Sequence, residues 1–170
     1  MQTLSFLPLI VFAGLAVVAG LKDVTSYTIP NWISLALLGA FPFAALLGGV
    51  GWTTAGLCLA VGFGLLLVGM LMFALRWVGG GDAKFLAACA LWMGVTGLPS
   101  FLLITALAGG ALTFGLMSLR SGWLEPIIAG SPAWVRRLGD KKGDVPYGVA
   151  IAVGALAALP QSAIGLAILN

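Results

Sequence analysis

The sequence predicts an all-α fold: a polytopic integral membrane protein with six transmembrane helices in one domain, residues 1–170. Three observations predict it. Hydrophobic residues make up 61% of the chain and charged residues 8%, with a mean hydropathy of +1.15. That leaves too little polar surface for a soluble domain. The charge-free intervals 1–21, 24–75, 85–119 and 145–170 divide into stretches near the ~20 residues that cross ~30 Å of hydrocarbon. All eight Lys and Arg fall in or beside three connections, near 22–31, 76–84 and 120–145. With six spans these connections share one side, which the positive-inside rule makes cytoplasmic, with both termini outside.

The first span is expected over 3–21, ending at Lys22-Asp23. No basic segment precedes it, so it reads as a retained span and not a cleaved signal. The second runs over 31–49, after Ile29-Pro30-Asn31, and Gly48-Gly49-Val50-Gly51 separates it from the third, 52–76. The fourth and fifth, 83–98 and 100–119, are divided near Gly97-Leu98-Pro99. The last is 146–168. Between them lies the polar connection 120–145, where Trp123, Ile127, Trp134, Val135 and Leu138 alternate with Arg136, Arg137 and Lys141. Such a segment lies on anionic lipid or docks a substrate, and sequence leaves both open.

Composition also excludes chemistry. Histidine is absent, which removes Ser-His and Cys-His catalysis and most metal centres. Cys58 and Cys89 sit inside apolar runs without a CxxC, so they read as small core residues, not a disulfide or zinc site. The basic residues form no stripe, and no nucleic-acid partner is expected. GGGDAK lacks the P-loop spacing. No cofactor and no metal is expected; the lipid bilayer is the first partner.

Five acidic residues remain. Glu125, Asp140 and Asp144 lie in the polar connection. Asp23, in KDVTSYTIPN, and Asp82, in GGGDAKF, lie at the ends of apolar runs on one membrane face. Singly, Asp82 reads as a helix N-cap and Asp23 as a polar stop. Together, neither reading explains the three glycines before Asp82 or the Ile-Pro-Asn turn after Asp23. Two adjacent carboxylates share a proton; one activates water while the other polarises a peptide carbonyl. Helix polarity assigns water activation to Asp82 and carbonyl polarisation to Asp23. Gly79, Gly80 and Gly81 are expected to form an irregular, cavity-lining turn that delivers Asp82 to the fourth span.

GGGD at 79–82 fits the GxGD signature of intramembrane aspartic proteases, and GGGDAKFL resembles the type IV prepilin (leader) peptidases. DVTSYTIPN at 23–31 resembles the segment around that family's first catalytic aspartate. VPYGVAIAVG at 145–154 resembles the last span of the short, Tad/Flp-pilus type. The resemblance implies GxGD protease architecture in the bacterial inner membrane. It implies an aspartic endopeptidase that cuts the basic leader of prepilins or pseudopilins after a glycine, before the substrate's hydrophobic N-terminal helix. It makes Asp23 and Asp82 the catalytic pair and Gly79 and Gly81 part of the active-site loop, with Lys84, Pro30, Asn31, Pro146 and Tyr147 in support. Larger members carry paired cysteines in a region associated with N-methylation; this chain has no CxxC, so peptidase activity alone is expected. A homodimer stays open. Two rivals remain: an ion- or proton-coupled transporter using the same aspartates, and a structural subunit packed through Ala16 and Gly20 or Gly56 and Ala60.

Overall fold

In the computed structural model the described residues are 6–121, 130–140 and 143–169. They form α1 (Leu7–Ser26), α2 (Asn31–Leu47), α3 (Trp52–Ala74), α4 (Gly80–Leu119), α5 (Ala133–Leu138), α6 (Tyr147–Ala158), a 3₁₀ turn (Leu159–Gln161) and α7 (Ala163–Leu169). Three helices, α1, α3 and α4, are long and apolar enough to cross a membrane. The count rises to four if the pair Tyr147–Gln161 and Ala163–Leu169, bent by 42°, is one span. The described residues are thus all-helical, and the protein is an integral membrane protein. The apolar α2 is shorter, at 17 residues.

Helix ends follow local chemistry. Pro8 sits in the first turn of α1, where its missing N–H costs nothing. At the other end, the Thr25 and Ser26 hydroxyls donate back to the Leu21 and Lys22 carbonyls, and Tyr27 closes the helix with φ 52°. Lys22 and Asp23 therefore do not end the helix, as the sequence suggested; α1 carries Asp23 in its last turn. After α2, the Gly49 N–H meets Leu46 O and the Val50 N–H meets Ala45 O, with Gly49 at φ +66°. This is the paired C-terminal bonding that a left-handed residue permits. The same pattern ends α3, where Arg76 and Trp77 donate to Phe73 and Met72. Here the left-handed position is held by Arg76, at φ 60°.

The expected boundary near Gly97-Leu98-Pro99 lies elsewhere. Helix continues through Pro99, and the one non-helical residue inside α4 is Gly94, at φ 59°, ψ −165°. That region is essentially confined to glycine. A Cβ on Gly94 would also come within 2.8 Å of Cys58 Sγ and Ala163 Cβ. The two predicted spans 83–98 and 100–119 therefore form one stretch, Gly80–Leu119, broken at Gly94.

Small residues let the helices approach, as membrane packing requires. Cβ atoms on Gly62 and Gly69 would lie 2.9 and 3.0 Å from Leu91 and Ala83, which sets the α3–α4 crossing. Gly154 meets Thr105 where α6 lies on α4. Ala16 and Gly20 are buried, with Gly20 against Ala152 of α6; Gly56 and Ala60 are exposed, and among the described residues nothing lies within 4 Å of a Cβ built on Gly56. Cys58 and Cys89 are free and buried, as expected of core residues.

Trp92 lies at the centre of the bundle. It is fully buried, packs against the tilted ring of Phe12 at 4.9 Å and edge-to-face with Phe41 at 6.3 Å, and donates its indole N–H to Leu37 O at 2.9 Å. It thereby joins α1, α2 and α4. Trp92→Ala is expected to cost about 3–5 kcal/mol, and Trp92→Phe less, through the lost hydrogen bond and contact area. Thermal unfolding in detergent checks this; equal Tm values for Trp92→Ala and wild type would refute the central role.

Candidate active site

The residues around the three polar connections converge on one cavity of about 1040 Å³, lined by Asp23, Tyr27, Arg76, Trp77, Val78, Gly79, Asp82, Asp144, Val145 and Tyr147, with Met72, Phe73 and Ala74 from the end of α3. The two aspartates singled out in the sequence thus face the same space. They are near enough to act on each other electrostatically.

Asp82 is held by its own helix. Gly79 is the N-cap of α4, at φ −66° and ψ 144°, with the Ala83 N–H on its carbonyl at 3.0 Å. Asp82 is the third helical residue, so its carboxylate turns back toward the Gly79 N–H, the acidic half of a capping box. A Cβ on Gly79 would sit 2.9 Å from Asp82 Oδ2. Gly80 lies under the Phe73 ring and Gly81 against Ile29. The expected irregular turn is therefore absent. Gly79 to Gly81 form the cap and first turn of a regular helix, none with positive φ. Close approach, not backbone freedom, is what Gly79 supplies.

Asp23 is 4% exposed, and a buried carboxylate needs a partner. The partner comes from the far end of the chain: the Gly148 N–H donates to Asp23 Oδ2 at 2.6 Å. Gly148 is the second residue of α6, so Asp23 also meets the positive end of that helix. Asp23, though carried in the last turn of α1, points its carboxylate at the N-terminus of α6, as Asp82 does at that of α4, so helix polarity no longer separates their roles. A Cβ on Gly148 would lie 2.9 Å from Asp23 Oδ2 and 3.0 Å from Asp23 Cβ.

Arg120 fixes the segment that leads to Gly148. Its guanidinium donates to Leu138 O at 2.9 Å, Gly143 O at 2.8 Å and Asp144 O at 2.8 Å, a use of its planar fork that a lysine cannot copy. Pro146, fully buried, then caps α6, and the ring of Tyr147 packs where Gly109 has no side chain. Burial, chiefly, pushes the Tyr27 phenol up, against the pull of Arg120, so Tyr27 presents a neutral hydroxyl. Tyr27 and Arg76 are the two non-glycine residues with positive φ among those described, and both line this cavity. Each such conformation costs about 1–2 kcal/mol, which is tolerated where the site needs the side chain.

The supporting residues divide. Tyr147 lines the cavity and Pro146 adjoins it. Lys84 and Asn31 face elsewhere: Lys84 Nζ donates to Asn31 Oδ1 at 3.0 Å, joining the first turn of α4 to the start of α2, where Pro30 is the cap. Sequence reading missed Gly148, Arg76, Tyr27 and Asp144. For Gly148 the available signal was its place beside Pro146 and Tyr147. Arg76 was absorbed into the topology. Of the polar connection, Trp123, Ile127 and Lys141 lie outside the described residues; Trp134, Arg136 and Arg137 are exposed on α5. Among the described residues no cluster of His, Cys, Asp or Glu has the makings of a metal site.

Neither a curated relative nor a solved structure matches the chain. Residues 10–114 match the type IV leader peptidase family. The matched span includes Asp23, Pro30, Asn31, Gly79–Asp82 and Lys84, and stops short of Arg120, Pro146, Tyr147 and Gly148. Covering more than half of the sequence, the match shows that the chain belongs to the type IV leader peptidase family.

Proposed function

We propose that this leader peptidase is an aspartic endopeptidase that uses Asp23 and Asp82 to remove the basic leader of Flp-type prepilins or pseudopilins, after a glycine. The observation that carries the reading is the convergence of both carboxylates on one cavity. The pair holds one proton between them. The ionised carboxylate takes a proton from water as the water oxygen bonds to the scissile carbonyl carbon. The protonated one donates to the carbonyl oxygen. Collapse of the tetrahedral intermediate returns that proton, breaks the C–N bond and delivers the proton held by the base to the departing amine.

The protein sits in the bacterial inner membrane with the cavity toward the cytoplasm and both termini outside, a reading supported by Arg76 in the cavity wall and Lys22 beside Asp23. Six crossings follow if α2, the two parts of α4 on either side of Gly94, and the bent α6–α7 pair each count as one. The lack of a CxxC and the direct run of the first span into Asp23 favour the Tad/Flp type without N-methylation.

The test is co-expression with a Flp-type prepilin in a host lacking other leader peptidases, with mass analysis of the processed pilin. The expected product begins immediately after the leader glycine and carries a free, unmethylated amine. Intact prepilin in every condition, together with proton flux into proteoliposomes, would replace this reading with the transporter.

A further inference from the structure

A second concavity lies between α2, α3 and α4, with a volume of about 470 Å³. Its walls are apolar: Leu35 and Leu38 from α2, Leu59, Phe63 and Leu66 from α3, and the alanines of α4. Leu35, Leu38, Leu59 and Phe63 are also exposed on the flank of the bundle, so the groove opens to hydrocarbon. Its polar end is at the level of the carboxylate cavity, because Asn31 starts α2 and Lys84 lies in the first turns of α4. There Lys84 donates to Asn31. An ammonium has three donors; the neutral amide of Asn31 takes one and cancels no charge. Ser34, one turn along α2, has a buried hydroxyl without a partner.

We propose that this groove binds an anionic phospholipid, with an acyl chain along the leucines and the phosphate on Lys84. Charge decides the occupant. A cation oriented by an amide, at the polar end of an apolar channel open to the bilayer, matches a lipid with a negative headgroup and leaves a zwitterionic one without a net attraction. Position decides against the substrate. The groove and the carboxylate cavity share no lining residue. Lys84 follows Asp82 by two positions, about 200° around the helix, so the two face opposite ways. A groove of this volume along two turns of three helices also suits a hydrocarbon chain better than a helix about 10–12 Å across. The lipid would tie the first turn of α4, which carries Asp82, to the membrane surface.

Native mass spectrometry of the delipidated protein in mild detergent tests this, using phosphatidylglycerol and phosphatidylcholine of equal chain length. Phosphatidylglycerol is expected to bind about fivefold more tightly or better. Lys84→Gln should bring it to the phosphatidylcholine level, while Lys84→Arg keeps the preference. Lys22→Gln, a charge change outside the groove, should also keep it. Leu38→Trp, filling the groove from its exposed edge, should weaken both lipids. Equal Tm values without lipid establish that the variants fold. A preference that survives Lys84→Gln, or equal binding of the two lipids by wild type, overturns the proposal. Displacement of the lipid by saturating prepilin would assign the groove to the substrate and overturn it as well.

Discussion

Asparagine at either position 23 or position 82 is expected to lower prepilin cleavage by about 10²–10⁴-fold, the range for losing a positioned acid or base. The two losses should not add, because the carboxylates act as a unit. Asparagine keeps the shape of aspartate but cannot exchange the proton the pair shares. Folding should survive both changes. The amide introduced by Asp23→Asn retains an oxygen for the Gly148 N–H, which now bonds Asp23 at 2.6 Å. The amide introduced by Asp82→Asn retains one for the turn back to Gly79, since asparagine is itself a good helix-terminal residue. Cleavage by purified variants at equal concentration, with Tm recorded alongside, checks the expectation. A variant that folds and cleaves at the wild-type rate would return its aspartate to a capping role. Loss of activity with loss of Tm would be a folding effect, and a proton-flux assay on the wild-type protein would still separate peptidase from transporter.

The parts of the molecule that were legible in the sequence are those decided by neighbouring residues. The bounds of α2 and α3 lie within two residues of the expected spans 31–49 and 52–76, because Pro30 and the Gly48–Gly51 break act through local backbone chemistry. The carboxylate pair was legible because charge is scarce enough in this chain for each aspartate to stand out. What failed depended on distant partners. Asp23 reads as a stop, yet a helix can carry a carboxylate when another helix supplies the N–H, and Gly148 lies at the far end of the chain. Gly94 resembles any other glycine in the run, and its backbone is dictated by Cys58 and Ala163 packed against it. The glycines before Asp82 suggested an irregular turn; the carboxylate lying over Gly79 requires only the absence of a Cβ. Likewise Arg120 reads as one more topological charge until its three carbonyl partners are known.

Gly148→Ala is expected to reduce kcat by up to about 100-fold, the loss that a misplacement near 1 Å can bring to a catalytic group, with a smaller change in KM. The new methyl would sit 2.6 Å from Ile29 Cδ1, 2.9 Å from Asp23 Oδ2 and 3.0 Å from Asp23 Cβ. Ile29 can turn the end of its side chain away. Asp23 cannot move so cheaply, because its Cβ is fixed to α1 and its oxygen is bonded to the residue being changed. The carboxylate must then rotate out of its bond or α6 must withdraw from α1, and either one displaces Asp23 relative to Asp82. Gly20→Ala is the matched control. It adds a methyl in the same α1–α6 contact, 3.2 Å from Ala152 Cβ and only in ordinary contact with Val149 Cα at 3.7 Å and Gly148 O at 4.0 Å, with neither carboxylate among its nearest atoms. That overpacking should cost about 1–3 kcal/mol of stability and leave kcat per folded molecule near wild type. Steady-state cleavage and Tm for the two variants separate positioning from packing. If Gly148→Ala loses stability as Gly20→Ala does but keeps its kcat, the Gly148 N–H holds the fold and has no part in aligning Asp23. A fall in kcat confined to Gly148→Ala would place a residue beyond the matched span 10–114 among those that set the geometry of the carboxylate pair.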